Sequence, residues 1–209
     1  MTDLNQLHAD ARHRLDRQGA LPGVLRERGL SFEDAQALDL GLDAQGNVLL
    51  PLRDEHGTLI GLKGRVASPA PHKYFELPAG NGNPPWYAPT LWQAPHRAVL
   101  WVEGELNAMV THLALRAQQV AVIGLGSAFG PLDTALLRRL DRPGYLYLDD
   151  DTVGRKSARA FLRQAEADGV ALQRVGPLLG AWDACTYAHT CGQDALRDRW
   201  LAFLKLPSL

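Results

Sequence analysis

Hydrophobic residues near the N-terminus recur at the spacing of an amphipathic helix. The positions that form this stripe are Leu4, Leu7, Ala11 and Leu15. Farther on, Ser31 precedes Asp34 by three residues, a capping pattern that predicts the start of a second short helix. Apolar runs within 46–77 flank a polar turn at 54–57, which is typical of a β-hairpin. This part of the chain is therefore predicted to be a small α+β unit.

The pattern changes near residue 97, where continuous apolar runs begin to alternate with helical segments. The predicted strands are 97–103, 119–124, 144–149 and 170–176, and the apolar runs of the first three end just before Glu103, Gly124 and Asp149. Because continuous apolar runs indicate strands buried on both faces, they predict a parallel sheet flanked by helices. Residues 78–96 are rich in proline and are predicted to be a linker. The predicted fold is α/β over 97–209, with C-terminal helices, preceded by a smaller α+β subdomain over 1–96.

The composition is that of a globular protein, with 46% hydrophobic and 22% charged residues. These values exclude a disordered tail, a collagen-like repeat and a disulfide scaffold. No apolar run reaches the roughly 18 residues of a membrane span, and the N-terminus lacks the apolar core of a signal peptide. Cys185 and Cys191 form no zinc-binding pattern. A cytoplasmic protein with reduced thiols and no membrane partner is expected.

The net charge of −1 does not favour nucleic-acid binding by bulk electrostatics, so a polyanion must be held by a local patch or through metal ions. Glu103 follows the first apolar run, and Asp149 and Asp151 follow the third. The carboxyl ends of parallel strands share one edge of a sheet, so these carboxylates are expected to lie close together. Their repulsion and their oxygen chemistry favour Mg²⁺ or Mn²⁺. For a single acid, solvation beside a helix N-terminus would be the simpler interpretation.

A glycine-rich segment between these acids offers a competing interpretation. Gly124, Gly126 and Gly130 follow the second apolar run, and Asp149 ends the next predicted strand, as in a dinucleotide-binding fingerprint. However, Pro131 follows Gly130 where the phosphate-binding helix should already be running. The fingerprint also leaves the other acids unexplained, so the metal interpretation is preferred.

The segments WVEGELNAM, VIGLGSAFG and LYLDDDTVGRKSA together resemble the Toprim domain, which is shared by DnaG-type primases, topoisomerases, OLD-type nucleases and recombination-mediator proteins. In that family, the glutamate of the first motif and the aspartates of the Asp-x-Asp motif form the acidic centre. The resemblance therefore implies that Glu103, Asp149 and Asp151 are the catalytic residues and the metal ligands. Glu103 alternatively acts as a general base or acid.

The upstream half is similar to the N-terminal subdomain of the DnaG-type primase core, with an apolar Pro-Leu-Arg-Asp strand and a Lys-Tyr motif. This resemblance implies that Lys63, Arg65 and Lys73 contact nucleic acid or nucleotide phosphates. From their alternation alone, Lys63 and Arg65 could equally lie on an exposed edge strand. Trp86 and Tyr87, in the predicted linker, are either core contacts or surfaces for base stacking.

Three further residues are candidate parts of the site. Arg155 is predicted in the first turn of a helix, where the dipole disfavours a cation, so a phosphate or carboxylate partner is expected. Asp183 lies in a stretch that resembles the family's Gly-x-x-Asp-Pro motif and implies an outlying acid. Asn107 stands where the family usually has Asp, which removes one negative charge. In the sequence alone, Asn107 either lies near the metal or caps its own helix.

The resemblance implies a metal-dependent nucleotidyltransferase that makes short RNA primers on single-stranded DNA from ribonucleoside triphosphates. A phage, plasmid or other mobile element is the expected setting. The family's zinc-binding module has no counterpart among these residues, so a separate zinc-binding protein and a helicase are candidate partners. Two alternatives remain open: a Toprim nuclease that cleaves DNA or RNA, and a catalytically weak nucleic-acid-binding accessory protein.

Overall fold

The computed structural model describes residues 3–54, 56–67, 72–80, 84–92, 95–180 and 182–209. Residue 55 of the predicted hairpin turn and residues 81–83 and 93–94 of the predicted linker lie outside these ranges. The chain divides into two compact units, Met1–Pro84 and Pro85–Leu209. In the part that the structure describes, no helix combines the length and the apolar character needed to cross a membrane.

The first unit contains three helices and one antiparallel sheet. The helices are α1 (Leu4–Gln18), α2 (Gly23–Arg26) and α3 (Phe32–Ala37). The strands are β1 (Gly41–Leu42), β2 (Val48–Arg53), β3 (Leu59–Arg65) and β4 (Tyr74–Leu77). They pair in the order β1-β2-β3-β4, and each pair is antiparallel. The predicted α+β character of this part of the chain is confirmed.

The predicted apolar stripe packs α1 onto this sheet. Ala11 is fully buried in a cluster with Leu49 and Leu62, and Leu4 and Leu7 pack against the cluster. The predicted capping pattern is also confirmed, because the Ser31 side chain accepts the Asp34 N–H while the Asp34 side chain accepts the Ser31 N–H. One apolar face therefore accounts for how α1 packs, and local capping accounts for where α3 begins.

The second unit contains a five-stranded sheet with helices between its strands. Its strands are β5 (Trp86–Tyr87), β6 (Ala98–Val102), β7 (Val120–Gly124), β8 (Gly144–Tyr147) and β9 (Leu172–Arg174). Its α-helices are α4 (Glu105–Leu115), α5 (Thr134–Leu140), α6 (Thr152–Ala167), α7 (Ala184–Cys191) and α8 (Gln193–Leu204). Short 3₁₀ helices cover Pro89–Trp92 and Arg116–Gln118. This is the predicted α/β unit with C-terminal helices.

The sheet has the order β5-β7-β6-β8-β9, and every pair except β5–β7 is parallel. All five residues of β6 and all five of β7 are buried, as their continuous apolar sequences predict. Val102 lies opposite Gly124 on one side and opposite Tyr147 on the other. The central strands therefore end at the same level of the sheet.

The second unit begins earlier than the predicted boundary after residue 96. Trp86 pairs with Gly124, so β5 extends the second sheet along its β7 edge. The Trp86 side chain is only 2% exposed and its ring meets the His112 ring edge-on. The option that Trp86 stacks on bases is therefore wrong, because this part of the predicted linker is an edge strand with a buried side chain.

Candidate active site

The acidic edge is formed where β6 and β8 end side by side. The Glu103 N–H donates to the Tyr147 carbonyl oxygen at 3.0 Å. The Asp149 N–H donates to Glu103 Oε2 at 3.1 Å. These two strands, the first and third of the parallel strands in chain order, pair directly with each other. Glu103 and Asp149 consequently come from two strand ends but share one hydrogen bond.

The loop after β7 also holds the Glu103 carboxylate, which accepts a hydrogen bond from the Ala128 N–H. Burial raises the pKa of Glu103, and the charges of Asp149 and Asp151 raise it further against the lowering effect of these two N–H groups. The next helix, α5, begins only at Thr134, so the glycine-rich segment does not lead directly into a phosphate-binding helix. The segment instead orients a carboxylate.

Asp149, Asp151 and Asp183 form the rest of the acidic edge. The pKa of Asp149 is raised, first by burial and then by the negative charges of Asp183 and Asp151. Asp151 caps α6 by accepting the Gly154 N–H at 2.7 Å, and Asp183 caps α7 by accepting the Thr186 N–H at 2.7 Å. Together with Glu103, these residues make a set of four acids. They interact electrostatically although they come from three separate loops.

Gly154 lets the first turn of α6 lie against the backbone of Asp149. A Cβ atom at position 154 would stand 2.1 Å from the Asp149 carbonyl oxygen, far inside a normal contact distance. The spacing Asp-x-Asp-x-x-Gly therefore has a packing reason in addition to the Asp151 cap. The sequence analysis assigned no role to this glycine.

Asp150 lies between the two candidate ligands but is bound to arginines. Its Oδ1 atom lies 3.1 Å from Arg174 Nη2 and 3.3 Å from Arg155 Nη1. Hydrogen bonds from Arg174 and then Arg155 lower the pKa of Asp150. Arg155, predicted to contact a phosphate or a carboxylate, has a carboxylate partner here. Arg174 was missed by sequence reasoning, although its position at the end of the fourth predicted strand could have indicated it.

Asn107 links α4 to α7. Its Oδ1 atom accepts the Cys185 backbone N–H at 3.1 Å, at the N-terminal turn of α7 that Asp183 caps. Asn107 therefore serves a helix that lies 78 positions later in the chain, rather than capping its own helix. The N–H that it binds belongs to the same helical turn that is capped by Asp183, whose charge raises the pKa of Asp149.

The other basic candidates belong to the first unit. Lys63 is buried on β3, with its Nζ atom 5.0 Å from the centre of the Tyr74 ring. Arg65 lies over the same ring with its Cζ atom at 4.8 Å, and Lys73 is exposed. The edge-strand alternative for Lys63 and Arg65 is wrong, because β3 is paired on both sides. Lys63 and Tyr74 also line an open cavity of about 410 Å³.

The acidic edge has the donor chemistry of a magnesium or manganese site. Within the described ranges, no three His, Cys, Asp or Glu side chains form a group that could hold a metal ion as they stand. Glu103, Asp149 and Asp151 nevertheless present carboxylate oxygens, the ligands that these hard cations prefer. The raised pKa values of Glu103 and Asp149 record both burial and unrelieved carboxylate repulsion. The type of donor therefore suits a divalent cation, whereas the described side chains as they stand do not form a metal site.

Replacing Gly154 with alanine tests the close approach of α6 to Asp149. Alanine normally favours a helix over glycine, but here its Cβ must displace the Asp149 carbonyl, so we expect a loss of about 1–3 kcal/mol in the free energy of unfolding. Gly176→Ala is the control, because a Cβ there meets nothing within 4 Å and should change stability by less than about 0.5 kcal/mol. Urea unfolding measures both, and equal stabilities would contradict the contact.

Replacing Asn107 tests its bond to α7. Asn107→Leu removes the acceptor of the Cys185 N–H and should lower the free energy of unfolding by about 1–2 kcal/mol. Asn107→Asp keeps an acceptor at a helix N-terminus and should retain wild-type stability. Thermal unfolding of the two variants distinguishes them, and a leucine variant as stable as the aspartate variant would show that this hydrogen bond is not needed.

Comparison with solved structures finds several primase catalytic cores of the same fold. The DnaG primase catalytic domain bound to ssDNA shares 18% identity at a TM-score of 0.70, over 95% of this chain and 77% of that chain. The E. coli primase catalytic core shares 20% identity at a TM-score of 0.66, over 94% of this chain and 77% of that chain. The Aquifex aeolicus primase zinc-binding and RNA polymerase domains share 18% identity at a TM-score of 0.75, over 95% of this chain and 59% of that chain.

Sequence comparisons add nothing to this likeness, since neither a protein-family model nor a curated protein matches the chain. The structural matches do not name a Toprim domain, so that assignment stays a prediction. At these identities the likeness establishes the fold. The predicted resemblance to a DnaG-type primase core is confirmed, since the match to the fold of those catalytic cores covers 94–95% of this chain.

Proposed function

We propose that this protein is a primase-like, metal-dependent nucleotidyltransferase that synthesises short RNA primers on single-stranded DNA. The observation that carries the proposal is the match to DnaG primase catalytic cores over 94–95% of the chain, with both units included. One of those cores is bound to ssDNA, which supports a single-stranded template. Because the match includes the first unit, it favours a primase over a nuclease that shares only the acidic domain.

The acidic edge supplies the chemistry that this activity needs. Glu103, Asp149 and Asp151 would hold Mg²⁺ or Mn²⁺, with Asp183 as an outlying acid. Bound at such an edge, these ions supply the positive charge that activates a 3′-hydroxyl and stabilises departing pyrophosphate. The protein's own contribution is to hold the carboxylates in place against their mutual repulsion.

Backbone groups provide this positioning. The N–H groups of Asp149 and Ala128 fix the Glu103 carboxylate, and the Gly154 N–H fixes the carboxylate of Asp151. Both acids are therefore oriented by hydrogen bonds before a substrate arrives. Such preorganisation is the main route by which proteins stabilise charge that develops in phosphoryl transfer.

The arginines beside the acidic edge would act on the nucleotide phosphates. Arg155 and Arg174 are held by Asp150, which lies in sequence between the two candidate ligands. Arginine presents a planar fork that matches phosphate oxygens. When a nucleotide phosphate takes the place of the Asp150 carboxylate as their partner, the two guanidinium groups therefore stay hydrogen-bonded. In the first unit, Lys63, Arg65 and Lys73 are proposed to contact the nucleic acid backbone, which makes binding dependent on salt.

The metal proposal predicts a change in thermal stability. A cation present at about 100 times its dissociation constant adds roughly 2.7 kcal/mol to the free energy of unfolding. Wild-type protein should therefore melt several degrees higher in millimolar Mn²⁺ than in EDTA. Asp149→Asn should lose this shift and should melt higher than wild type in EDTA, because one repelling charge is removed. Asp150→Asn is the control and should keep the Mn²⁺ shift. Identical wild-type melting curves with and without Mn²⁺ would contradict the site.

Primer synthesis tests the activity itself. With single-stranded DNA, four ribonucleoside triphosphates and Mg²⁺, wild-type protein should produce short RNA. Asp149→Asn and Asp151→Asn should each lower product formation by at least about 100-fold, more than the loss of an outer-sphere contact costs. Asp150→Asn should stay within a few-fold of wild type, because it leaves Glu103, Asp149 and Asp151 unchanged and keeps an oxygen that can accept hydrogen bonds from Arg155 and Arg174.

Two outcomes would overturn the proposed function. Equal activity of Asp149→Asn and wild type at saturating Mg²⁺ would remove Asp149 from the active site. Cleavage of labelled single strands by wild-type protein without nucleotides, with no primer synthesis when nucleotides are supplied, would replace the primase with a nuclease that uses the same acids.

A further inference from the structure

Exposed apolar side chains are concentrated around the acidic edge. Among the described residues, the large hydrophobic side chains that are exposed belong to Phe129, Val153, Leu179 and Leu209. Phe129 lies in the loop after β7, Val153 in the first turn of α6 after β8, and Leu179 in the loop after β9. These three segments all leave the carboxyl ends of parallel strands. Phe129 is the most exposed of the four, at 78%.

The loop that carries Phe129 is held in place by its own backbone. The Phe129 N–H donates to Ser127 Oγ at 3.2 Å, and the Gly130 N–H donates to the Ser127 carbonyl oxygen at 3.1 Å. A Cβ at position 130 would stand 1.9 Å from the Leu125 carbonyl oxygen, so the chain turns back tightly just after the aromatic residue. This geometry holds the Phe129 ring in solvent rather than in the core.

The same loop touches the acidic centre. Ala128, the residue before Phe129, donates its backbone N–H to the Glu103 carboxylate. The exposed ring is consequently attached to a segment whose position is tied to Glu103. A ligand whose reacting group lies at Glu103 and Asp149 would therefore have its next portion within reach of this loop.

We propose that Phe129 is a stacking platform for a nucleobase of the nucleic acid or nucleotide that reacts at the acidic edge. The inference rests on the proposed function and names a contact that the primase-like fold alone does not supply. Carboxylates repel phosphate groups, whereas the neutral face of a base can pack on an aromatic ring beside them. The base contact is independent of base identity, since every base has such a face.

A protein partner is a poorer occupant for this ring. A stable protein interface covers about 800 Å² on each partner, whereas one aromatic side chain contributes only about 150–250 Å². The other exposed apolar side chains at the strand ends, Val153 and Leu179, are aliphatic and less exposed, at 44% and 52%. The Glu103 carboxylate, which binds the Ala128 N–H, further limits the apolar area beside the ring. One exposed ring of this size is suited to one base.

Binding measurements with and without bases test the stacking role. Four probes are compared in Mn²⁺: short oligodeoxythymidine, an abasic oligomer of the same length, ATP and inorganic tripolyphosphate. Phe129→Ala should weaken binding of oligodeoxythymidine, of ATP or of both by about 5- to 150-fold, the range expected for one stacked base. Its affinity for the abasic oligomer and for tripolyphosphate should equal that of wild type.

Two matched variants complete the experiment. Phe129→Trp should retain wild-type affinity for the base-containing probe, because it keeps a flat ring. Leu209→Ala removes another exposed apolar side chain, 66% exposed at the C-terminus, and should leave all four affinities unchanged. The probe that loses affinity in Phe129→Ala shows whether the base belongs to the template strand or to the incoming nucleotide.

Either of two results would overturn the stacking role while leaving the proposed function intact. One is wild-type binding of both base-containing probes by Phe129→Ala, and the other is equal weakening of the base-containing and abasic probes. By contrast, if wild-type protein binds none of the four probes, the proposed function itself fails and the stacking role fails with it.

Discussion

Parallel pairing between β6 and β8 is the contact on which the acidic edge depends. Because Val102 lies opposite Tyr147, the residues that follow these strands leave the sheet at the same level. The Asp149 N–H can then reach the Glu103 carboxylate. This arrangement is opposed by electrostatic repulsion, which raises the pKa values of both carboxyl groups. The buried interior of the sheet supplies the stability that holds the acids together in spite of this repulsion.

Close backbone contacts around the edge serve the same purpose. Gly154 brings α6 against Asp149, and Gly130 turns the loop that supplies the Ala128 N–H to Glu103. Asn107 and Asp183 together satisfy N–H groups in the first turn of α7. Glycine, asparagine and aspartate are common in turns and helix caps, so local sequence patterns do not show what these residues do here. In the folded protein, all of them help to define where the carboxylates stand.

Much of the fold could be predicted from the sequence because its signals are local. Continuous apolar runs identified the buried strands, and the Ser31 capping pattern located α3. The acids of the candidate site were also recognisable, since Glu103 and Asp149 each follow such a run. What local patterns do not contain is the order of strands in the sheet, which decides that the two acids are neighbours rather than separated by β7.

The features that were missed depend on contacts between distant parts of the chain. Asn107 bonds an N–H that lies 78 positions away, and Arg174 reaches Asp150 across 24 positions. Lys63 is buried beside the Tyr74 ring of the neighbouring strand, which its alternating sequence does not reveal. Phe129 was assigned no role from the sequence. Its exposure becomes visible once the loop is seen to turn back at Gly130.

Anomalous diffraction from crystals soaked in Mn²⁺ tests the central claim, which is that the acidic edge holds a divalent cation. We expect a manganese peak at about 2.0–2.2 Å from carboxylate oxygens of at least two of Glu103, Asp149 and Asp151. In Asp149→Asn crystals grown and soaked in the same way, that peak should weaken or disappear. Manganese found only elsewhere, in crystals whose acidic edge is open to solvent, would contradict the account.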